Sequence, residues 1–427
     1  MLQHYSLLAM IRFVKQSFAK WAYARCQHIN DLLRISFIVG SRRALFRSLV
    51  SGAAFVLFLA AGGPRAAAQV TILHSFGDGS VPHDGGYPEA GLVQAPDGKF
   101  YGVAQPVGLG DESVFQITAA GVLKVIHRLA SNEHAYFPLL YHNNALIGVL
   151  SGSRPREKAG VLFAITGYPN GPWAEEYWHF FGKTPRDGGD PTGSLIASDG
   201  DLYGAAFGGG SAGQGAIYKV VPATHKVTVI ASFSGSGPYI WPNTGLVRDK
   251  NGNFWGSTQG LASGEIYEVT PAGKIETVYL YPSNEFSPLV PLILGSDGNL
   301  YGESVQSSSP SEEYVFQLTP SGAYTVVHTF ASPGGDLPIG VSGLTEGPNG
   351  NLYGLTSGGG TAGKGTVFEV STDGSSFNVL HNFGDGNVQN DGESPAGALV
   401  LGADNNLYGV TSAGGSAGKG TVFRISP

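Results

Sequence analysis

The chain has 427 residues, of which 65 are Gly and 25 Pro, with 13% charged, 11% aromatic and a formal net charge of −7. Gly and Pro at this level suit a disordered chain, but disorder lacks the aromatic and β-branched residues found here. Many short strands joined by Gly-rich turns fit better, in a chain long enough for one radial repeat domain.

The first 68 residues are an N-terminal extension and signal peptide. They hold nine of the 25 basic residues and one of the 32 acids, Asp31. Arg42, Arg43 and Arg47 form a basic region, and Leu49 to Ala61 is an apolar stretch short of the ~20 residues a membrane span needs. Ala66-Ala67-Ala68 before Gln69 is a small-residue cleavage site, so cleavage is expected near Ala68–Gln69 and the product is expected to be secreted or periplasmic. Residues 1–40 precede a normal signal and suggest an over-extended translation start. Removal leaves 16 basic and 31 acidic residues, a formal −15. Such a surface repels nucleic acid and anionic lipid. The single Cys26 leaves with the leader, so no disulfide and no membrane span are expected in the remaining chain, which is read as a monomer.

A short motif then recurs: Phe100-Tyr101-Gly102, Leu146-Ile147-Gly148, Leu202-Tyr203-Gly204, Phe254-Trp255-Gly256, Leu300-Tyr301-Gly302, Leu352-Tyr353-Gly354 and Leu407-Tyr408-Gly409. Its central residues lie 46 to 56 residues apart, the period of propellers or solenoids. Each unit holds four strand-like runs. In the sixth they are Gly343–Thr345 (A), Asn351–Thr356 (B), Thr366–Ser371 (C) and Phe377–Phe383 (D), with tight turns at Asn349-Gly350 and Asp373-Gly374.

The phase of the repeat decides closure. Val70–Phe76 matches strand D of the sixth unit, while Thr421–Ile425 is a strand C with nothing after it to serve as D. Placing the first segment in that gap completes seven blades and covers two loose edges. The fold expected is therefore an all-β, seven-bladed β-propeller of four-stranded antiparallel blades over 69–427. Its blades span about 88–129, 137–181, 191–233, 242–280, 288–330, 338–383 and 395–426 plus 70–76. Pro88, Pro138, Pro191, Pro242, Pro288, Pro338 and Pro395 recur before strand A, where a residue without an N–H is tolerated.

These motifs, the Gly-Gly-Gly-Thr-Ala-Gly-Lys-Gly-Thr-Val-Phe run at 358–368, its copy at 414–423, and Phe-Gly-Asp-Gly followed by Pro-x-x-x-Leu resemble the GloVer (Gloeo-Verruco) tandem repeat of bacterial choice-of-anchor proteins. The resemblance covers nearly all of 70–427. It implies export and surface display, and brings no catalytic residues with it. The chain ends at Pro427 directly after the last strand, without the sorting tail that such display uses.

In a propeller the A–B and C–D turns lie on one face, and the B–C and D–A connections on the other. The second set is longer and more polar here, so a binding site is expected on that face. Asp78, Asp84, Asp187, Asp190, Asp385 and Asp391 crowd the D–A connections. They are candidate oxygen ligands for Ca²⁺, although Asp-Gly is also ordinary turn chemistry, and no cofactor is otherwise expected. The Gly-rich B–C loops precede strands, not the helix N-terminus a phosphate site uses. His74, His127, His179, His328 and His381 recur once per blade at one phase of strand D, which points to a structural hydrogen bond or packing role. Departures from the repeat are the candidate ligand contacts: His83, Glu133, His134, Arg154, Arg156, Tyr239, Trp241 and Glu285. The leading functional expectation is a non-catalytic binding or scaffold module for a surface glycan, peptide or protein. The alternatives are a propeller lyase or hydrolase with a His/acid site at the rim, and a structural module of the cell envelope.

Overall fold

The computed structural model describes residues 69–427 except 109–110, 130–133, 151–158, 170, 185–186, 235–239, 261–263, 283–284, 287–289, 307–311 and 331–340. The leader and the candidates Glu133, Arg154, Arg156 and Tyr239 lie outside the described residues, as does the side chain of Glu285.

The described residues form seven antiparallel sheets. Blade 1 consists of Val93–Gln94, Phe100–Ala104, Glu112–Ile117 and Leu123–Leu129, strands A to D from the inside outward. Blade 6 consists of Val341–Glu346, Leu352–Thr356, Thr366–Val370 and Phe377–Asn382, close to the sequence expectation. Blades 4 and 5 split strand A into two short pieces, Ile240–Pro242 with Val247–Arg248 and Glu285–Phe286 with Ile293–Leu294. Blade 7 has Gly392–Leu401, Leu407–Gly414 and Thr421–Ser426, and its outermost strand is Gln69–Ser75. The pairing is antiparallel, with Val70 opposite Ile425 and Ser75 opposite Thr421. The expected closure is present.

Seven apolar layers hold the blades together, one between each neighbouring pair. The ring closes through the layer in which Phe76, Tyr408 and Val422 of blade 7 meet Phe100 and Phe115 of blade 1. The recurring motif builds these layers by the two-residue period of a strand. Leu300 packs toward blade 4 and Tyr301 toward blade 6. The glycine that follows has no room for a side chain, because the strand C aromatic lies across it. A Cβ on Gly302 would fall 2.6 Å from Cζ of Phe316, and one on Gly354 would fall 2.2 Å from Cζ of Phe368. The tyrosines, buried in the layer, reach an A–B turn with their hydroxyls. Tyr301 donates to Asp297 at 2.7 Å and Tyr408 to Asp404 at 2.7 Å. In the fourth blade the Trp255 indole N–H donates to Asp249 at 3.2 Å.

Every strand D carries a one-residue bulge just before its histidine position. In blade 6 Val367 faces His381 while Phe368 faces Val379, leaving Leu380 over, and in blade 7 Val422 faces His74 while Phe423 faces Ile72. The other five blades repeat it. A bulge adds twist and spoils the outer edge as a template for further pairing. It also reaches the next blade. The carbonyl of bulged Leu73 lies against Gly121, and that of Val327 against Gly374, both turn glycines with positive φ where a Cβ would be 2.5–2.6 Å away.

The innermost strands approach so closely that backbone meets backbone. A Cβ on Gly193 would lie 2.0 Å from the Gly245 amide, and one on Gly397 2.4 Å from that of Gly91. What remains at the axis is a cavity of about 320 Å³, to which every blade contributes, Gly91, Pro138, Gly193, Gly245, Pro291, Gly343 and Gly397 among them.

Candidate functional site

The D–A connections are shaped by the strand D histidines. His74 Nε2 lies 2.8 Å from Asp84, His179 Nε2 3.1 Å from Asp187, and His381 Nε2 3.1 Å from Asp391. The same carboxylates accept amide N–H groups where the chain leaves strand D, from Gly77 at 3.1 Å and Gly384 at 2.8 Å. In these two crossings one carboxylate thus ties both ends, whereas after strand D of blade 2 the Gly182 amide donates to the Gly188 carbonyl at 2.9 Å. Each of these histidines also sets its ring edge-on to the Phe two residues later, at 5.0 Å for His74 and Phe76. His127 instead faces Glu175 of blade 2 at 3.3 Å, and His328 stacks on Phe377 at 3.9 Å.

This accounts for Asp84, Asp187 and Asp391 among the six acids singled out from the sequence. Asp78 and Asp385 accept the amides two residues on, from Ser80 at 2.8 Å and Asn387 at 2.9 Å, the geometry of an Asx turn. Asp190 has φ of 51°, and burial raises its pKa. Among the described residues no group of three or more His, Cys, Asp or Glu could hold a metal ion.

His83 has φ of 59° and is exposed. Its carbonyl accepts the Ser113 hydroxyl at 2.7 Å. The crossing 77–85 and residues Pro106, Val107 and Asp111 of blade 1 border a cavity of about 330 Å³ on the connection-bearing face, at the seam of blades 7 and 1. His83, Asp111, Arg128 and Lys419 line it. Arg128 faces Asp111 at 3.5 Å. The Lys419 ammonium lies 5.9 Å over the ring of Tyr87, which is 39% exposed. Trp241 lies elsewhere on this face, stacked on Phe207 of blade 3 at 5.1 Å.

His134 belongs to a second cluster, at the mouth of the axial cavity. Its Nδ1 lies 2.8 Å from Glu112, whose other oxygen accepts the Ala135 amide at 3.0 Å. Glu112 is 2% exposed, and burial raises its pKa against the opposing pull of those two bonds. Tyr136 stacks on His134 at 5.5 Å and lines the axial cavity together with Glu89. Sequence reasoning found His134 but missed Glu112. The signal was available: Glu112 stands three residues before the strand C aromatic, where five of the seven blades have Gly. Glu303 is another such departure. It follows the repeat glycine, where five of the other six blades have an apolar residue, and is 6% exposed, with one carboxyl oxygen lacking a hydrogen-bond partner. Burial, with Glu313 beside it, pushes its pKa well above the usual carboxylate range.

Three overlapping segments, 63–263, 110–313 and 288–427, match the family model described as the Gloeobacter/Verrucomicrobia repeat. No curated protein sequence matches the chain. Several solved structures are similar at low identity. An extracellular domain assigned to a one-component system of Bacteroides thetaiotaomicron is 13% identical with a TM-score of 0.49, over 80% of this chain and 39% of that one. The present chain therefore spans well under half the length of that relative. The BP39L lectin of Burkholderia pseudomallei is 13% identical with a TM-score of 0.49, over 79% of this chain and 98% of the lectin. The periplasmic gluconolactonase of Pseudomonas aeruginosa is 14% identical with a TM-score of 0.46, over 79% and 98%. Among the described residues no helix is long and apolar enough to cross a membrane.

Proposed function

The chain belongs to the Gloeobacter/Verrucomicrobia repeat family, and we propose that it is an exported, non-catalytic binding module for a surface glycan. The observation that carries this reading is the cavity of about 330 Å³ at the blade 7–1 seam, with cationic, anionic and aromatic side chains around one mouth. Its size suits one or two sugar units. One wall is braced where Asp84 joins His74 to the Gly77 amide, and a preformed wall spares a ligand the entropy of ordering it. An array of cell-surface polysaccharides and peptides tests the reading. Binding to a polysaccharide supports it, and no polysaccharide signal above background sinks it. Export through the leader is part of the same proposal, and the N-terminal residue of protein recovered outside the cytoplasm checks cleavage near Gln69.

A second reading, a lyase or hydrolase acting on carbohydrate or peptide, is favoured by one observation. Glu112 and His134 are hydrogen-bonded at the mouth of the axial cavity, with Glu89 and Tyr136 close by. Burial shifts the Glu112 pKa upward, the direction that suits a general acid. Under this reading the protein cleaves a polysaccharide and Glu112→Gln abolishes that cleavage. Unchanged cleavage by the variant excludes the cluster as its cause.

A further inference from the structure

Two B–C loops of nearly identical sequence, 358–368 in blade 6 and 414–423 in blade 7, hold their lysines in the same cradle. The stem of Lys364 crosses Gly384, where a Cβ would lie 2.3 Å from its Cδ, and the stem of Lys419 crosses Gly77, where a Cβ would lie 2.7 Å from its Cδ. The glycines are equivalent, each following the Phe that ends strand D. Beyond that point the two crossings differ at five positions, one of which decides whether the lysine meets a carboxylate. Lys364 makes an ion pair with Glu393, two residues before Pro395. In the crossing from blade 7 into blade 1 the residue two before Pro88 is Gly86. Lys419 therefore has no carboxylate partner among the described residues.

The counter-ion is missing where the cavity lies. Lys419 lines it, held by its stem and by its own carbonyl, which accepts the Tyr87 amide at 2.7 Å. The other charges there are already engaged, Asp84 with His74 and Arg128 with Asp111. An unmatched ammonium beside a cavity, on a chain otherwise rich in acid, is a site for an anion. Around it, the exposed faces of Tyr87 and His83 and the Arg128–Asp111 pair offer stacking and hydrogen-bond partners for hydroxyl groups.

We infer that the seam cavity takes a carboxylate-bearing sugar, a uronate unit of an acidic polysaccharide, with Lys419 pairing its carboxylate. The inference rests on the glycan-binding reading and narrows it. Phosphate alone would leave the aromatic and hydroxyl partners unused.

The test uses the exported chain with polygalacturonate and neutral dextran as probes, by titration calorimetry. The unaltered protein binds polygalacturonate, and raising NaCl from about 50 to about 500 mM weakens binding as a charge contact requires. Lys419→Ala weakens it about tenfold or more, the scale of a charge-assisted hydrogen bond, and Lys419→Arg restores most of it. Lys364→Ala, in the matched cradle with its own counter-ion, leaves binding unchanged. If Lys419→Ala binds as tightly as the parent, the assignment of Lys419 is overturned. If dextran binds and polygalacturonate does not, the acidic class is overturned while the glycan reading stands. If no polysaccharide binds at all, both fall.

Discussion

Replacing Phe76 with Ala probes the closure of the ring. Phe76 follows the first strand, and its side chain is fully buried. Its amide donates to the Gly420 carbonyl at 3.0 Å, and its ring meets Phe115 edge-on at 5.3 Å. The hole left behind would be lined by Phe100, Phe115, Tyr408 and Val422. Those groups sit on strands of two blades and collapse poorly, so the cost is expected near the usual 3–5 kcal/mol for a buried Phe→Ala change. With a urea slope of about 3 kcal/mol/M, the midpoint falls by about 1 M or more at unchanged slope. Phe383→Ala is the control, since Phe383 holds the same place in blade 6, where strand D continues its own blade. The two variants should lose similar amounts. If Phe76→Ala leaves the midpoint within about 0.2 M of the parent while Phe383→Ala lowers it, the first strand is not an ordinary member of the seventh blade and the reasoning fails.

Glu303 should make stability fall with pH. Its pKa is raised in the folded state, so its contribution is full below the unfolded value near 4.5 and is lost as pH rises through the folded one. Thermal melts across that range should show Glu303→Gln with a flatter profile and a higher midpoint than the parent near pH 8; an identical slope would remove Glu303 as its origin. The His381–Asp391 tie should show coupling in a double-mutant cycle. Each single Ala variant should cost about 1–2 kcal/mol and the pair little more than one of them, whereas additive losses would mean that the two side chains act independently.

The blade number and closure were legible because both rest on a period. The repeated Leu-Tyr-Gly unit counts the blades, and the orphan strand D at residues 70–76 pairs with the orphan strand C at 421–425. The histidine that recurs at one phase of strand D in five blades likewise pointed to a structural role. Its partners were harder to see. Asp84 and Asp391 lie ten residues after their histidines but Asp187 only eight, and a spacing that drifts with crossing length leaves no fixed motif. The bulges were hidden because one extra residue in an edge strand changes pairing without changing composition. The difference between Lys364 and Lys419 needed coordinates, since the deciding residue, Gly86, is more than 300 positions away in the chain and enters only once the ring has joined.

That joining sets an order of events for biogenesis. The strand of the propeller that is synthesised first has its hydrogen-bonding mate near residue 421, about 350 positions later. Bringing such distant ends together in an otherwise unfolded chain costs about 5 kcal/mol of loop entropy. Six complete sheets can form by local hairpins beforehand, and by then their own curvature carries the two ends toward each other. During synthesis residues 69–75 thus have no mate in the seventh sheet until residues 421–426 have been made. A propeller still lacking residues 421–426 would keep a single unlatched sheet, and the final contact is the step that closes the ring.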